Sequence, residues 1–193
     1  MATRLLAADG TGPEANPNWA ERNVATATAS SYVDDPPWGY RPINVMGRNL
    51  YIGWQTRHET SGAWLEVKFP EVHPVSEIWI QPRPLTYDIV GRDPYMMTYS
   101  RLKLLDAPRR VRCSVAGGVS VARELPQTDD SEIIALPRTV ETDFVHITVE
   151  EVWAKPGGEE TGLGRVQVYP HRHEPGFEID VYGMYDAQKG KPI

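Results

Sequence analysis

The sequence predicts an all-β fold, a β-sandwich or jelly roll, from three observations. Glycine and proline number 16 and 17 among 193 residues and are spread along the chain, which disfavours long helices and favours short strands joined by turns. Apolar and polar residues alternate in many short runs, as in half-buried strands. The length suits one well-buried core better than two. We therefore predict a single sandwich domain at residues 23–182, with a lead-in at 1–22 and a tail at 183–193.

The predicted elements follow one another at short intervals. The lead-in is rich in Gly, Pro and Asn and is expected to hold at most a short helix near Trp19. NVATATASS, at residues 23–31, combines small and β-branched residues, as edge strands do. In residues 63–69 (AWLEVKF) apolar and charged side chains alternate, which indicates a half-buried strand. Further strands are predicted at 75–81, 110–115, 119–124, 132–135, 144–149, 165–169 and 177–182, which makes about nine in a sandwich or jelly roll.

Charge and hydropathy disfavour several classes of partner. The formal net charge is −6, which leaves no basic surface for nucleic acid or anionic lipid. No apolar run approaches the ~18 residues of a membrane span. The N-terminus, MATRLLAADG, has too short an apolar stretch for a secretion signal. The alternatives are a cytoplasmic protein and the mature domain of a secreted, extracellular one.

The single cysteine, Cys113, excludes an internal disulfide framework. It lies in the alternating run Val111, Cys113, Val115, so we predict a small core residue and not a nucleophile. The longest segment without a strand pattern, residues 82–100, exceeds the usual length of a connection. Loops of this kind more often carry function.

Five segments taken in order resemble the discoidin-like, galactose-binding-like domains related to coagulation factor C-type domains: NVATATASS, PINVMGRNLYIGWQT, GAWLEVKFPEVHPVSEIWIQPRP, DFVHITVEEV and TGLGRVQVY. The likeness covers roughly residues 23–170 and rests on order and spacing. It is closest to bacterial carbohydrate-binding modules of family 32, in which a strand ends in a Pro-Arg pair and the Arg reaches sugar hydroxyls from the apex of the sandwich. The resemblance implies this role for Arg83. The loop that follows is longer than in the family and contains Asp88, which leaves the particular sugar open.

Calcium-binding members of this family take one carboxylate from the first loop and another from near the last strand. This sequence has Met46 and Arg165 at those positions. Calcium prefers six to eight oxygen ligands, several of them charged, so we predict that this calcium site is absent and that the chain needs no cofactor. His171 and His173 lack a third ligand at a suitable spacing, so no other metal site is predicted either.

Sugar recognition needs an aromatic face for the C–H side of the ring and planar polar groups for pairs of hydroxyls. Arginine suits the second role because its fork binds two oxygens at fixed geometry. Loop aromatics occur in EEVWAKPGG and DDPPWGYRP, and polar candidates in GWQTRHE, immediately before a predicted strand. For each of them the alternative is a packing residue or a solvated loop residue. The predicted ligand-binding residues are Arg83, Trp153, Trp38, Tyr40, Arg57, His58 and Asp88.

We therefore predict a non-catalytic carbohydrate-binding module, a secreted lectin-like protein that recognises a glycan or polysaccharide through its apical loops. A tethered catalytic domain and a homo-oligomer are left open as further partners. One alternative is a protein-interaction or assembly domain, suggested by the apolar cluster Tyr95, Met96, Met97 and Tyr99. The other is an allantoicase-like or polysaccharide-acting enzyme on the same sandwich, because GWQTRHE resembles a GWET-like stretch in allantoicase, whose repeats have a related fold. Against catalysis, the chain has one repeat and no GxSxG or HExxH motif.

Overall fold

The computed structural model describes residues 17–21, 24–34, 39–47, 52–83, 105–127 and 130–173, and the backbone of residues 185–186 and 191–192. Two short 3-10 helices span Pro42–Met46 and Ala116–Gly118. The strands are β1 (Thr26–Ala29), β2 (Trp54–Gln55), β3 (Trp64–Pro82), β4 (Ala107–Ser114), β5 (Ser120–Glu124), β6 (Glu132–Trp153), β7 (Gly162–Tyr169), β8 (Tyr185–Asp186) and β9 (Lys191–Pro192). The predicted all-β fold is confirmed.

Within the described residues, seven antiparallel strands join in the order β2-β7-β3-β6-β4-β5, with β1 paired to the first half of β3. The two long strands, β3 and β6, are 19 and 22 residues long and pair with each other along most of their length. Their register shifts between Lys68 and His73 and again between Val75 and Glu77. Such bulges bend a strand pair. The bend divides the strands between two layers: β1, β4 and β5 extend one, and β7 and β2 extend the other.

Two strand predictions are wrong, because strands predicted as separate are continuous through the bend. Residues 63–69 and 75–81 were predicted as separate strands, but both belong to β3, and residues 132–135 and 144–149 both belong to β6. The reason is that the two bends lie opposite each other, so the ladder continues through them with His73 opposite Thr142 and Val75 opposite Val140. The predicted strand at 177–182 lies outside the described residues, so the count of about nine strands and the domain boundaries stay predictions.

The core lies between the two layers and is lined by every second residue of the strands. Cys113 is fully buried there, which confirms its predicted packing role, and burial raises the pKa of its thiol to about 12. Trp54 is also fully buried and donates its indole N–H to the Ser31 carbonyl at 2.9 Å. The other large members of the core are Leu65, Val67, Phe69, Ile78, Ile80, Val111, Ile134, Leu136, Val145, Ile147, Val149, Leu163, Val166 and Val168.

Residues 17–21 and 171–173 both pack against the layer that contains β7. No helix is present in residues 17–21; instead, Trp19 stacks on His73 at 4.2 Å and donates its indole N–H to the Pro74 carbonyl. On the outside of the same layer, His173 contacts the rings of Trp79 and Tyr169. Trp79 is only 2% exposed, because the rings of Tyr169 and His173 pack against it. Among the described residues, no helix is long and apolar enough to cross a membrane.

Candidate ligand site at the loop-bearing end of the sandwich

Three segments meet at one end of the sandwich. The loop at residues 154–161 crosses from the end of β6 to the start of β7. The loop after β2 lies beside it, because Thr56 N donates to the Thr161 carbonyl at 2.8 Å. The residues before β4 lie on its other side, where Leu105 forms a bridge with Glu160. We name this end, formed by residues 56–63, 105–107 and 153–161, the apex.

A buried polar network supports the apex from below. The Arg83 guanidinium donates to Gln55 Oε1, and Gln55 Nε2 in turn donates to Glu160 Oε2 at 2.5 Å. Arg83 also lies over the Tyr40 ring, with 4.4 Å from the guanidinium carbon to the ring centroid. These four side chains are 0–5% exposed. Buried charges are tolerated when they are hydrogen-bonded and paired, and here an amide links a cation to an anion. We name Tyr40, Gln55, Arg83 and Glu160 the apical floor.

The short strand β2 reaches this position because glycine permits a close backbone approach. A Cβ on Gly53 would lie 2.2 Å from the Leu163 carbonyl oxygen of β7, so any larger residue would push β2 away. This close approach holds Gln55 beside the start of β7. Glu160 lies just before β7 in the sequence and is therefore within reach of the Gln55 side chain. The floor is thus a consequence of how tightly β2 packs.

The loop after β2 carries two of the predicted ligand-binding residues, and both are exposed. Arg57 is exposed, with its backbone N–H bound to Ser31 Oγ. His58 has φ 52°, a left-handed conformation that is uncommon outside glycine, and its Nδ1 lies 3.0 Å from Glu159 Oε2. Because Glu159 belongs to the crossing loop, this pair joins two loops across the surface of the apex.

The strained turn at His58 is held by hydrogen bonds on both sides. The Glu59 carboxylate accepts from the hydroxyls of Ser30 and Ser31 at 2.7 and 2.6 Å, and the Glu59 carbonyl accepts from the Thr56 hydroxyl. Backbone strain persists only where the surroundings over-determine it, and such positions cluster at functional sites. The turn therefore presents Arg57 and His58 in a defined arrangement.

Trp153 stands where β6 enters the crossing loop. It is half-buried, donates its indole N–H to the Leu125 carbonyl at 3.3 Å, and has the Arg109 guanidinium 5.0 Å from its ring centroid. The loop that follows is pinned by Asp106, whose Oδ1 accepts from Lys155 N at 3.0 Å. Trp153 therefore combines packing with partial exposure at the rim of the apex.

The described part of the apex thus contains Arg57, His58 and Trp153, with Tyr40 and Arg83 beneath it. In this conformation Arg83 is 1% exposed and Tyr40 is 5% exposed, so neither offers a surface to a ligand, and their roles as contacts stay predictions. Trp38 and Asp88 lie outside the described residues. Sequence reasoning did not identify Gln55 and Glu160. A glutamine inside the apolar stretch YIGWQT was a usable signal for the first, whereas Glu160 had none.

Met46 and Arg165 stand where calcium-binding relatives carry carboxylates, and both lie away from the surface of the apex. Met46 ends the first 3-10 helix and packs against the hydrophobic core, and Arg165 pairs with Gln81 between β7 and β3. His173 Nδ1 lies 2.9 Å from Glu77 Oε1. Among the described residues, no three His, Cys, Asp or Glu side chains are grouped so that they could hold a metal ion.

Comparison with known proteins identifies the fold. No family model matches the chain, and no curated protein matches its sequence. Among solved structures, the chain is similar to the family 32 carbohydrate-binding module of C. perfringens NanJ, solved in complex with galactose. The TM-score is 0.57 at 14% identity, covering 80% of this chain and 99% of that one.

Two further solved structures are similar over a comparable share of the chain. The lectin domain of lectinolysin, complexed with Lewis B antigen, matches with a TM-score of 0.51 at 12% identity, covering 81% of this chain and 98% of that one. A truncated AlyQ with family 32 module and alginate lyase domains matches with a TM-score of 0.52 at 13% identity, covering 81% of this chain and 34% of that one. The chain therefore has the galactose-binding-like β-sandwich of family 32 carbohydrate-binding modules and related lectin domains, as the sequence resemblance predicted.

Proposed function

We propose that the chain is a non-catalytic carbohydrate-binding module whose ligand is a glycan held at the apex. The observation that supports the proposal is that the exposed Arg57 and His58 lie beside the crossing loop, to which the pair of His58 and Glu159 joins them, above a buried polar floor. Trp153 lies at the start of the same crossing loop. The fold adds support, because similar structures were solved in complex with galactose and Lewis B antigen. Fold alone does not define a ligand, so the residues of the apex carry the argument.

Each apical residue has a chemical role in this proposal. The Trp153 ring supplies an apolar face for the C–H side of a sugar ring. The Arg57 guanidinium donates to two neighbouring hydroxyls. The pair of His58 and Glu159, 3.0 Å apart, offers a donor and an acceptor whose positions are fixed by each other. Arg83 and Tyr40 act from below as positioning residues. Trp38 and Asp88, which lie outside the described residues, stay predicted ligand contacts.

A platform of loop residues buries little of a glycan, so we expect affinities per site from about micromolar to millimolar. Modules of this kind become effective through tethering or multivalency, which raises the effective concentration of the second binding event. A secreted location and a tethered catalytic domain belong to the same proposal. AlyQ, whose solved chain joins a family 32 module to alginate lyase domains, is an example of such an arrangement.

No observation on the described residues favours the assembly-domain alternative or the enzyme alternative. The apolar cluster Tyr95, Met96, Met97 and Tyr99, on which the assembly alternative rests, lies outside the described residues. In the described part of the chain, no metal-binding group accompanies the allantoicase-like stretch. The proposal of a binding module therefore stands ahead of both.

A broad glycan array with a metal chelator present tests the proposal, with Arg57→Ala and Trp153→Ala compared with the wild type. Arg138→Ala is the matched control, because Arg138 is exposed on β6 near the bend, at the other end of the sandwich. We expect a calcium-independent hit that weakens about tenfold, or about 1.4 kcal/mol, in each apical variant and stays unchanged in the control. Silence across the array, or equal binding by all variants, would remove the apex as the site.

A further inference from the structure

The outward side of the layer formed by β1, β4, β5 and the adjoining halves of β3 and β6 carries a second group of polar and aromatic side chains. The inward residues of these strands, such as Val111, Ile147 and Val149, are fully buried, so their neighbours in sequence point outward. We name this surface the outer face. Its central residues are Trp64, Glu66, Arg110, Arg112, Ser114, Ser120, His146, Thr148 and Glu150.

Two arginines on the outer face share one carboxylate. Arg110 Nε lies 2.9 Å from Glu150 Oε2, and Arg112 Nε lies 2.5 Å from Glu150 Oε1. The two arginine side chains are 40% and 42% exposed and Glu150 is 26% exposed. A guanidinium has five N–H donors, so Glu150 fixes the orientation of both forks and occupies only part of their donor capacity. The trio also has a net positive charge of one.

Neighbouring groups limit the part of the outer face in which this positive charge attracts an anion. Ser120 Oγ accepts from Arg112 Nη1 at 3.5 Å and from the Ser114 hydroxyl at 3.2 Å. Glu124 lies opposite Arg110 on β5, at the edge of the layer. Glu124 at the edge and Glu66 beside His146 both repel an anion, so the attraction is confined to the surroundings of Arg112 and Thr148.

An aromatic pair lies at the centre of the same face. Trp64 stacks on His146 with 5.2 Å between ring centroids and 25° between the planes, and Glu66 holds the His146 ring at 3.2 Å. Thr148 separates the aromatic pair from the arginines, since it pairs with Trp64 on one side and with Arg112 on the other. Two strand spacings put these side chains about 10 Å apart.

We propose that the outer face is a second carbohydrate site, distinct from the apex, and that its ligand is an acidic sugar. A pyranose ring stacks on Trp64, and a carboxylate or sulfate on the same or the next residue accepts hydrogen bonds from Arg110 and Arg112. Glu150 acts as the positioning residue that aims both forks. The combination favours an acidic sugar over an acidic peptide, because a sugar offers both a flat C–H face and an anionic group on one rigid unit.

Titration of the full chain with four probes tests this site: a galacturonate tetramer, its methyl ester, sulfated maltotetraose and unsulfated maltotetraose. We expect at least one anionic probe to bind and both uncharged counterparts not to bind, with an affinity that falls as salt is added. The first two probes report on a carboxylate and the last two on a sulfate, so the result identifies the anionic group.

Variants locate the binding. The double variant Arg110→Gln, Arg112→Gln is expected to weaken binding of the anionic probe about tenfold or more, and Trp64→Ala is expected to weaken it while Trp64→Phe restores it. The matched control is Arg123→Gln, because Arg123 is 54% exposed on β5 but pairs one-to-one with Glu132; a change below about twofold is expected there. Thermal unfolding of each variant verifies that it is folded.

The apical variant Arg57→Ala is expected to bind the anionic probe as the wild type does, whatever happens to neutral glycans. The failure of the apical proposal is therefore distinguishable from the failure of this one. Absence of binding by both anionic probes overturns the outer-face site. So does an equal loss in Arg123→Gln, which indicates unspecific charge attraction, or a loss in Arg57→Ala, which indicates a single site at the apex.

Discussion

Replacing Arg83 with methionine distinguishes a supporting role for this residue from a direct contact with the ligand. The side chain is 1% exposed, donates to Gln55 and lies over Tyr40. Methionine keeps most of the apolar stem and removes the charge. Taking one partner out of a buried charge network costs about 3–5 kcal/mol, and the contact with Tyr40 is included in that figure.

For a chain of 193 residues, each kcal/mol lowers Tm by about 2–4 °C, so Arg83→Met is expected to lower Tm by roughly 6–20 °C. Thermal and guanidinium unfolding measure this, with Arg57→Met as the matched control. Because Arg57 is exposed, its replacement is expected to change stability by no more than about 0.5 kcal/mol while weakening glycan binding. An Arg83→Met variant that melts like the wild type but no longer binds glycan would refute the reasoning and make Arg83 a ligand contact.

The remaining predictions concern the crossing loop, the core thiol and acid stability. A Cβ on Gly158 would lie 1.9 Å from Asp106 Oδ1, so Gly158→Ala is expected to lower stability by about 1–3 kcal/mol and glycan affinity with it; an unchanged Tm would contradict this. Burial raises the pKa of Cys113 to about 12, so iodoacetamide should alkylate the folded protein far more slowly than the unfolded one at pH 8, and equal rates would be evidence against that burial. Hydrogen bonding from Arg112 is the largest cause that holds the pKa of Glu150 below its usual 4.5. The ionised carboxylate therefore stabilises the fold above that pH, and this contribution is lost as pH falls through the lower folded-state pKa. Glu150→Gln should accordingly flatten the acid side of a plot of Tm against pH, and superimposable plots would count against the ion pair.

The sequence was sufficient for the features that depend on neighbours along the chain. The alternation of Val111, Cys113 and Val115 predicted a buried strand, and all three side chains are at most 3% exposed. The order and spacing of the five family-like segments predicted the sandwich that the solved structures share. Arg57 and His58 were predicted just before a strand, and they lie in the segment that leads to β3.

The candidate site was predicted less completely, because its contacts join residues far apart in sequence. Gln55 binds Glu160 across 105 positions, and no local pattern announces such a pair. For the same reason Arg83 was expected at the surface, although its partners bury it. The continuity of β3 and β6 through their bends was also missed. The hydrogen-bonded ladder at the bends depends on pairing between the two strands, which are far apart in sequence.

Composition and periodicity were enough to determine that this chain is all-β, which side chains enter its core, and that its one cysteine packs there. These are local properties, because a strand's inward and outward positions follow from alternation alone. The register between strands decided the rest. Pairing of β4 with β6 gives Arg110 and Arg112 a common carboxylate, and pairing of β2 with β7 buries the floor of the apex. Register depends on packing over the whole sandwich, so only the tertiary structure brings these distant side chains into contact.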